Sequence, residues 1–394
     1  MNPIASLINV AERFPLPDAV TLAGIAYLVD KTARKTADRL VDPAERDAAF
    51  AAEMKRFPIA VHTDASREQH YELPPAFFAL MLGPRRKYSC GYYPLQQATH
   101  APVHADRIGG SWATTPGNHA GASDSEARAS ETAHERAMER DDTALPQAEE
   151  EALARSCAHA ELANGQRILE LGCGWGSLTI WMAQHYPDAR ITAVSHSASQ
   201  REYIESVLAT RGLLNVEVIT ADMNDFQVDE QVPRFDRVVS VEMFEHMANW
   251  RGLLEQVRQW LAPGGKLFLH VFTNQGAPYR FDHTDPKDWI AQHFFTGGIM
   301  PSHTMIAQFD DLFELEKQWR WDGTHYERTA RDWLANFDRN SDAIDGVLRD
   351  VYGTDAALWK RRWRLFLLST MGLFGHRNGS QWGVSHYRLV RREG

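Results

Sequence analysis

Residues 166–176 read QRILELGCGWG. An apolar run of strand length ends at Leu171 and meets three closely spaced glycines, Gly172, Gly174 and Gly176. The next residues, SLTIWMAQHYP (177–187), have helical spacing. Strand, glycine-rich turn and helix open an α/β unit, whose ligand site lies at the carboxyl edge of its first strand. Glycines there let backbone approach a ligand closely. The third glycine of the dinucleotide spacing GxGxxG is absent. Glu170, two residues before the first glycine, suits a cationic amino group.

Outward from this turn the pattern repeats. RITAVSHS (190–197), VEVITAD (216–222), FDRVVSVEMF (235–244) and KLFLHVFTN (266–274) read as strands. QREYIESVLATRG (200–212) and WRGLLEQVRQWLAPGG (250–265) read as helices, the second closed by Pro-Gly-Gly. LFELEKQWRW (312–321) is a sixth strand, 327–375 is helical, and WGVSHYRLVRR (382–392) is a closing strand. The alternation predicts an α/β fold with a doubly wound, mostly parallel, seven-stranded sheet. Residues 1–60 read as helical, with Pro43 near one helix start, and 68–83 contain a Pro-Pro helix entry.

Residues 98–146 are rich in Ala, Ser, Thr, Gly, His and charge. Such a composition buries too little apolar surface to offset ordering entropy, so a disordered insertion is expected. Its histidines at 100, 104, 119 and 134 match no standard metal spacing. No metal site is expected anywhere in the chain.

The formal charge is −10, from 42 Lys and Arg against 52 Asp and Glu, which argues against a nucleic-acid partner. Three cysteines (90, 157 and 173) with no CxxC pair argue against a disulfide framework and for a reducing, cytoplasmic compartment. The N-terminal residues lack a signal-peptide pattern and no apolar run is long enough to span a bilayer, so no stable membrane insertion is expected. The twelve tryptophans cluster after Trp250 and read first as core packing. The run Lys360-Arg361-Arg362-Trp363-Arg364 reads as a solvated helix start, with phospholipid headgroups as the alternative.

Two further constellations carry chemistry. Asp222, ending the third strand, is placed to accept hydrogen bonds from an adenine amino group. Glu242-Met243-Phe244-Glu245-His246 ends the fourth strand. A turn there can bring both carboxylates and the imidazole into one pocket, where carboxylates stabilise an ammonium and a histidine takes a proton. His270, alone among apolar strand residues, reads as a satisfied core histidine.

ELGCGWG, SASQRE, TADMNDF, SVEMFEHM and LAPGG together resemble the class I S-adenosylmethionine-dependent methyltransferases. HYELPPAFFALMLGPRRKYSCGYY, HFFTGGIMPS and FGHRNGSQWGVSHY narrow the resemblance to the cyclopropane-fatty-acyl-phospholipid synthase family, closest to its coclaurine N-methyltransferase-like branch. The resemblance implies S-adenosylmethionine as methyl donor in a Rossmann-like core, 147–283. Residues 1–97 would close over it, 284–381 would form a cap and substrate region, and 382–394 the closing strand. Tyr88 and Ser89 would close over the cofactor, Gly172 and Gly174 would line its methionine and ribose side, Ser195 and Gln200 would hold the ribose region, and Asp222 and Met223 would flank the adenine. In the cyclopropane synthases the residues matching Cys90, Glu245 and His270 hold a bicarbonate, so bicarbonate would serve here if the substrate is an acyl phospholipid. Lipid enzymes commonly have glycine where Glu242 stands, and the amine-methylating branch has glutamate. The expected activity is therefore methylation of a small hydrophobic amine, with Glu242, Glu245 and His246 as catalytic residues. The alternative is methylene transfer to an unsaturated acyl chain. Thr370 stands where the family often shows a cysteine, and Gly372 where a relative has a glutamate near this segment.

Overall fold

The computed structural model describes residue 8 and residues 10–37, 41–62, 73–94 and 144–392. The expected disordered insertion lies outside the described residues as far as 143, and a helix begins at Ala144.

Nine strands are present among the described residues: β1 (Arg167–Leu171), β2 (Arg190–Ser195), β3 (Val216–Thr220), β4 (Phe235–Val241), β5 (Leu261–Asn274), β6 (Tyr279–Arg280), β7 (Ile299–Met300), β8 (Phe313–Asp322) and β9 (Trp382–Arg391). Seven form one sheet in the order β3-β2-β1-β4-β5-β9-β8. The first five in that order run parallel, and β9 pairs antiparallel with both β5 and β8. This is the seven-stranded, mostly parallel sheet expected. β6 and β7 make a separate two-stranded ribbon that the sequence pattern did not reveal.

The helices are α1 (Asp18–Thr36), α2 (Pro43–Met54), α3 (Pro75–Met81), α4 (Ala144–His159), α5 (Ser177–His185), α6 (Ala198–Arg211), α7 (Trp250–Trp260), α8 (Trp289–His293), α9 (Gly323–Arg339), α10 (Ser341–Tyr352) and α11 (Ala356–Gly375). Short polar side chains start several of them. Asp42 accepts from Ala44 N ahead of Pro43, Ser197 from Gln200 N, Asn249 from Gly252 N and Asp322 from Thr324 N. α7 stops at Trp260, five residues short of the expected Pro-Gly-Gly end, because Leu261 already pairs with Phe235 of β4. Gly264 and Gly265 instead form the irregular start of β5: a Cβ on Gly265 would lie 2.8 Å from Ala262 O and 3.0 Å from Phe235 O.

Strand alternation divides the core. Leu169, Leu171, Val238 and Leu267 pack with α2 and α7, while Ile168, Val239 and Phe268 pack with α4, α5 and α6. A third, aromatic-rich cluster joins α1, α3 and the helices α9–α11 through Phe77, Phe78, Trp333, Phe337 and Trp363. Gly372 has its explanation in this cluster. A Cβ there would lie 2.4 Å from Ile25 Cγ2, so the glycine admits α1 against α11.

The basic run at 360–364 is neither a solvated face nor an open headgroup site. Lys360 pairs with Asp345 at 2.6 Å and Arg362 with Glu12 at 2.7 Å. Arg361 donates to Glu12 O at 2.6 Å, Arg364 bridges Asp18 and Asp338, and Trp363 is fully buried. The run therefore clamps the N-terminal segment and α10 onto α11. Among the described residues no helix is long and apolar enough to cross a membrane, and no cluster of three metal-ligating side chains occurs.

Candidate active site

The glycine-rich turn after β1 has φ of +77° at Gly172, +52° at Gly174 and +77° at Gly176, all in the left-handed region. A Cβ on Gly172 would lie 2.5 Å from Met243 Cγ, so this glycine lets the turn pack on the segment after β4. A Cβ on Gly174 would meet nothing within 4 Å and would project into open space.

That space is a cavity of about 900 Å³ over the carboxyl edge of the sheet. It is lined by Lys87, Tyr88, Ser89, Glu170, Gly172, Gly174, Gln200, Glu242 and His246, and on the cap side by aromatic residues of 279–295 and α11. A smaller cavity of about 90 Å³ shares Gly172, Gly174, Gln200, Glu242 and His246 and adds Ser195, Asp222 and Met223. Tyr88, Ser89, Glu170, Gly172, Gly174, Ser195, Gln200, Asp222, Met223, Glu242 and His246 thus reach a cavity wall, eleven of the fourteen expected site residues, and Cys90, Glu245 and His270 do not.

The donor set fits S-adenosylmethionine. Glu170 faces the large cavity with a buried carboxyl that accepts from Thr179 Oγ1 at 2.6 Å, and burial pushes its pKa up to about 7. A cationic ammonium would relieve that cost. Ser195 Oγ donates to Gln200 Oε1 at 2.7 Å, while Gln200 Nε2 is buried with no partner among the described residues. That orphaned donor, in the wall shared by both cavities, suits a ribose hydroxyl. Asp222 Oδ1 accepts from Asn224 N at 2.8 Å, which fixes the carboxylate at the mouth of the smaller cavity.

Glu242 is held by both its backbone and its side chain. Its φ is +49°, unusual for a residue with a side chain. Oε1 accepts from Cys90 N at 2.9 Å and faces His270 Nε2 at 3.1 Å, and Oε2 accepts from Tyr326 Oη at 2.7 Å. Burial raises its pKa, and the Lys87 charge, Cys90 N–H and Tyr326 hydroxyl oppose that rise. Lys87 is itself buried and donates to Cys90 O at 2.8 Å and to Ser89 Oγ. Burial and the Glu242 charge hold the Tyr326 phenol well above its usual range, so it stays a donor.

The other expected residues stand around this carboxylate in different ways. His246 is in the walls of both cavities, its ring 4.4 Å from that of Phe295. Glu245, one position earlier in the 3-10 turn Phe244–His246, points away from the cavities. It is fully buried, Oε1 accepts from Phe272 N at 2.6 Å, and Oε2 has no partner among the described residues. Burial, then the Glu242 charge, raises its pKa well above the carboxylate range, favouring the neutral acid. Cys90 turns its backbone N–H to Glu242, and its thiol donates to Gly91 O at 3.1 Å. His270 lies behind Glu242, outside the cavity walls, and continues to His386.

Lys87, Tyr326 and His386 were not singled out from the sequence. Tyr326 is 84 residues from Glu242 on another helix, and no spacing connects them. The helix α1 was also missed as cavity wall; Ile25, Leu28 and Thr32 line it.

The model of the mycolic acid cyclopropane synthetase family matches residues 133–380. The chain belongs to this family. It is similar to (S)-coclaurine N-methyltransferase of Thalictrum flavum subsp. glaucum, with 30% identity over 344 residues, covering 86% of this chain and 82% of that one. It is also similar to the cyclopropane-fatty-acyl-phospholipid synthase of Escherichia coli (strain K12), with 26% identity over 325 residues, covering 82% and 68%. Among solved structures it matches coclaurine N-methyltransferase bound to N-methylheliamine and S-adenosylhomocysteine, with a TM-score of 0.82 and 28% identity over 98% of this chain and 99% of that one. This member of the family is an S-adenosylmethionine-dependent methyltransferase.

Proposed function

We propose that the chain transfers the methyl group to the nitrogen of a small hydrophobic, aromatic amine. The observation that carries this reading is the buried carboxylate of Glu242 in the cavity wall, held by Cys90 N, His270 Nε2 and Tyr326 Oη. Tyr279, Phe281, Trp289, Phe295 and Phe366 line the same cavity and offer aromatic faces to an amine cation. The 30% identical relative is an (S)-coclaurine N-methyltransferase, which supports a nitrogen acceptor.

S-adenosylmethionine, when bound, supplies the electrophilic methyl group. Glu170 would hold its amino group, Gln200 and Ser195 its ribose side, and Asp222 with Met223 its base. Glu242 would orient the incoming ammonium and stabilise the charge that the product nitrogen keeps. The amine must lose a proton before its lone pair can attack, and His246, in the wall between the two cavities, is placed to take it. Positioning by the aromatic wall would provide most of the remaining rate gain.

Glu242 also bears on the lipid alternative. Cys90 N and His270 Nε2, two of the groups expected around bicarbonate, are directed at a protein carboxylate here. A built-in carboxylate leaves no need for the external anion. The test is S-adenosylhomocysteine release by purified chain, offered aromatic secondary amines in one series and vesicles of unsaturated phospholipid in another. Turnover on amines with the added methyl on nitrogen is expected. Turnover on vesicles alone would overturn the reading.

A further inference from the structure

Three adjacent strands place a row of rings across the sheet. His270 of β5 is directly opposite His386 of β9, and His386 is directly opposite Trp319 of β8. His159, the last residue of α4, stacks on Trp319 with centroids 3.9 Å apart and planes 6° apart. The imidazoles form one continuous chain: His270 Nδ1 to His386 Nε2 at 2.9 Å, then His386 Nδ1 to His159 Nδ1 at 2.8 Å. His270 and His386 are fully buried, whereas His159 is only half-buried. The chain therefore leads from Glu242 to a partly solvated imidazole near the edge of the sheet.

We infer that His159 and His386 are positioning residues that fix the direction of this chain, so that His270 presents Nε2–H to the Glu242 carboxylate. The inference rests on the reading of Glu242 as the amine-facing carboxylate. A neutral imidazole donates from one nitrogen and accepts at the other, so one choice fixes the next. If His270 donates to Glu242 from Nε2, its Nδ1 accepts from His386 Nε2–H. His386 Nδ1 then accepts, and His159 donates from Nδ1. Reversal of the chain would aim a lone pair at a carboxylate and strip it of one donor.

The charges around the chain favour neutral rings. Lys87 faces the inner end beside Glu242, and Arg155, Lys317 and Arg388 face His159. Burial, reinforced by these cations and by the neighbouring imidazoles, holds His270 and His386 well below the usual histidine range, and His159 down to about 4. Neutral rings make the direction of the chain a real choice, and the outermost residue makes it.

Two nearly isosteric variants separate the directions. In His159→Asn the amide nitrogen stands where Nδ1 stands and still donates. In His159→Asp a carboxylate accepts, which turns His386 and His270 round. Imidazole ¹⁵N spectra of the full chain, with the His270 signals assigned by their loss in His270→Gln, read the tautomers without reference to activity. Nε2–H at His270 and His386 is expected in the wild type and in His159→Asn, and Nδ1–H in His159→Asp. With an amine that the wild type methylates, kcat should stay within about twofold in His159→Asn and fall by about tenfold or more in His159→Asp, with KM for S-adenosylmethionine unchanged. Nδ1–H at His270 in the wild type, or equal spectra and kcat for the two variants, would overturn the inference. Failure of every amine as a substrate would instead strike the proposed function, and the spectra would still decide the direction of the chain.

Discussion

Tyr326 and Glu242 meet at 2.7 Å in the cavity wall, one from the first turns of α9 and the other from the strained residue after β4. The contact ties α9 to the carboxyl edge of the sheet. With Cys90 N and His270 Nε2 it leaves the Glu242 carboxylate little freedom to move. Preorganisation of this kind is what an electrostatic contribution to catalysis requires.

Glu242→Gln removes the charge but keeps the volume. It should lower kcat on an amine by on the order of 100-fold, with the unfolding midpoint nearly unchanged. Steady-state kinetics and a thermal melt of the same preparation check this.

Glu170 gives a pH prediction. Burial holds its pKa near 7, and in the proposed role it would meet the cofactor's ammonium in its ionised form. Below that value the carboxyl is protonated in the free protein, and binding must expel the proton. Affinity for S-adenosylhomocysteine should therefore rise about tenfold or more from about pH 5.5 to about pH 7.5. Calorimetric titration of the wild type should show this rise, and Glu170→Gln should bind weakly with no such slope.

Gly174 and Gly372 predict contrasting effects. Gly174→Ala puts a methyl group into open cavity and onto a φ of +52°. It should raise KM for S-adenosylmethionine several-fold and destabilise by about 1 kcal/mol. A melt and a cofactor titration distinguish the two effects.

Gly372→Ala drives its Cβ against Ile25 at 2.4 Å. It should cost about 1–3 kcal/mol by overpacking and, because Ile25 is cavity wall, raise KM for the amine more than for the cofactor. Denaturant unfolding and paired KM measurements check it.

Much of this was legible in the sequence because it is local. QRILELGCGWG carries a strand, three left-handed glycines and a helix start within eleven residues, and periodicity locates the strands that follow. Glu170, Gly174, Gln200, Glu242 and His246 stand at strand ends or at fixed offsets from them, so the sequence singles them out, and all five line the large cavity. What sequence did not reveal depends on register and on contacts across the fold. His386 joins His270 only because β9 inserts antiparallel between β5 and β8. Lys87 and Tyr326 converge on Glu242 from separate segments, and the cavity wall gathers α1, the ribbon and α11. The end of α7 was misplaced because pairing of Leu261 with β4 overrides the Pro-Gly-Gly stop signal.

The most direct test of the central claim is the dependence of amine methylation on bicarbonate, measured in carbon-dioxide-depleted buffer with bicarbonate then added back. If the Glu242 carboxylate stands where an external anion would otherwise be needed, wild-type turnover is the same with and without bicarbonate. Turnover that collapses on depletion and returns on addition would contradict the account.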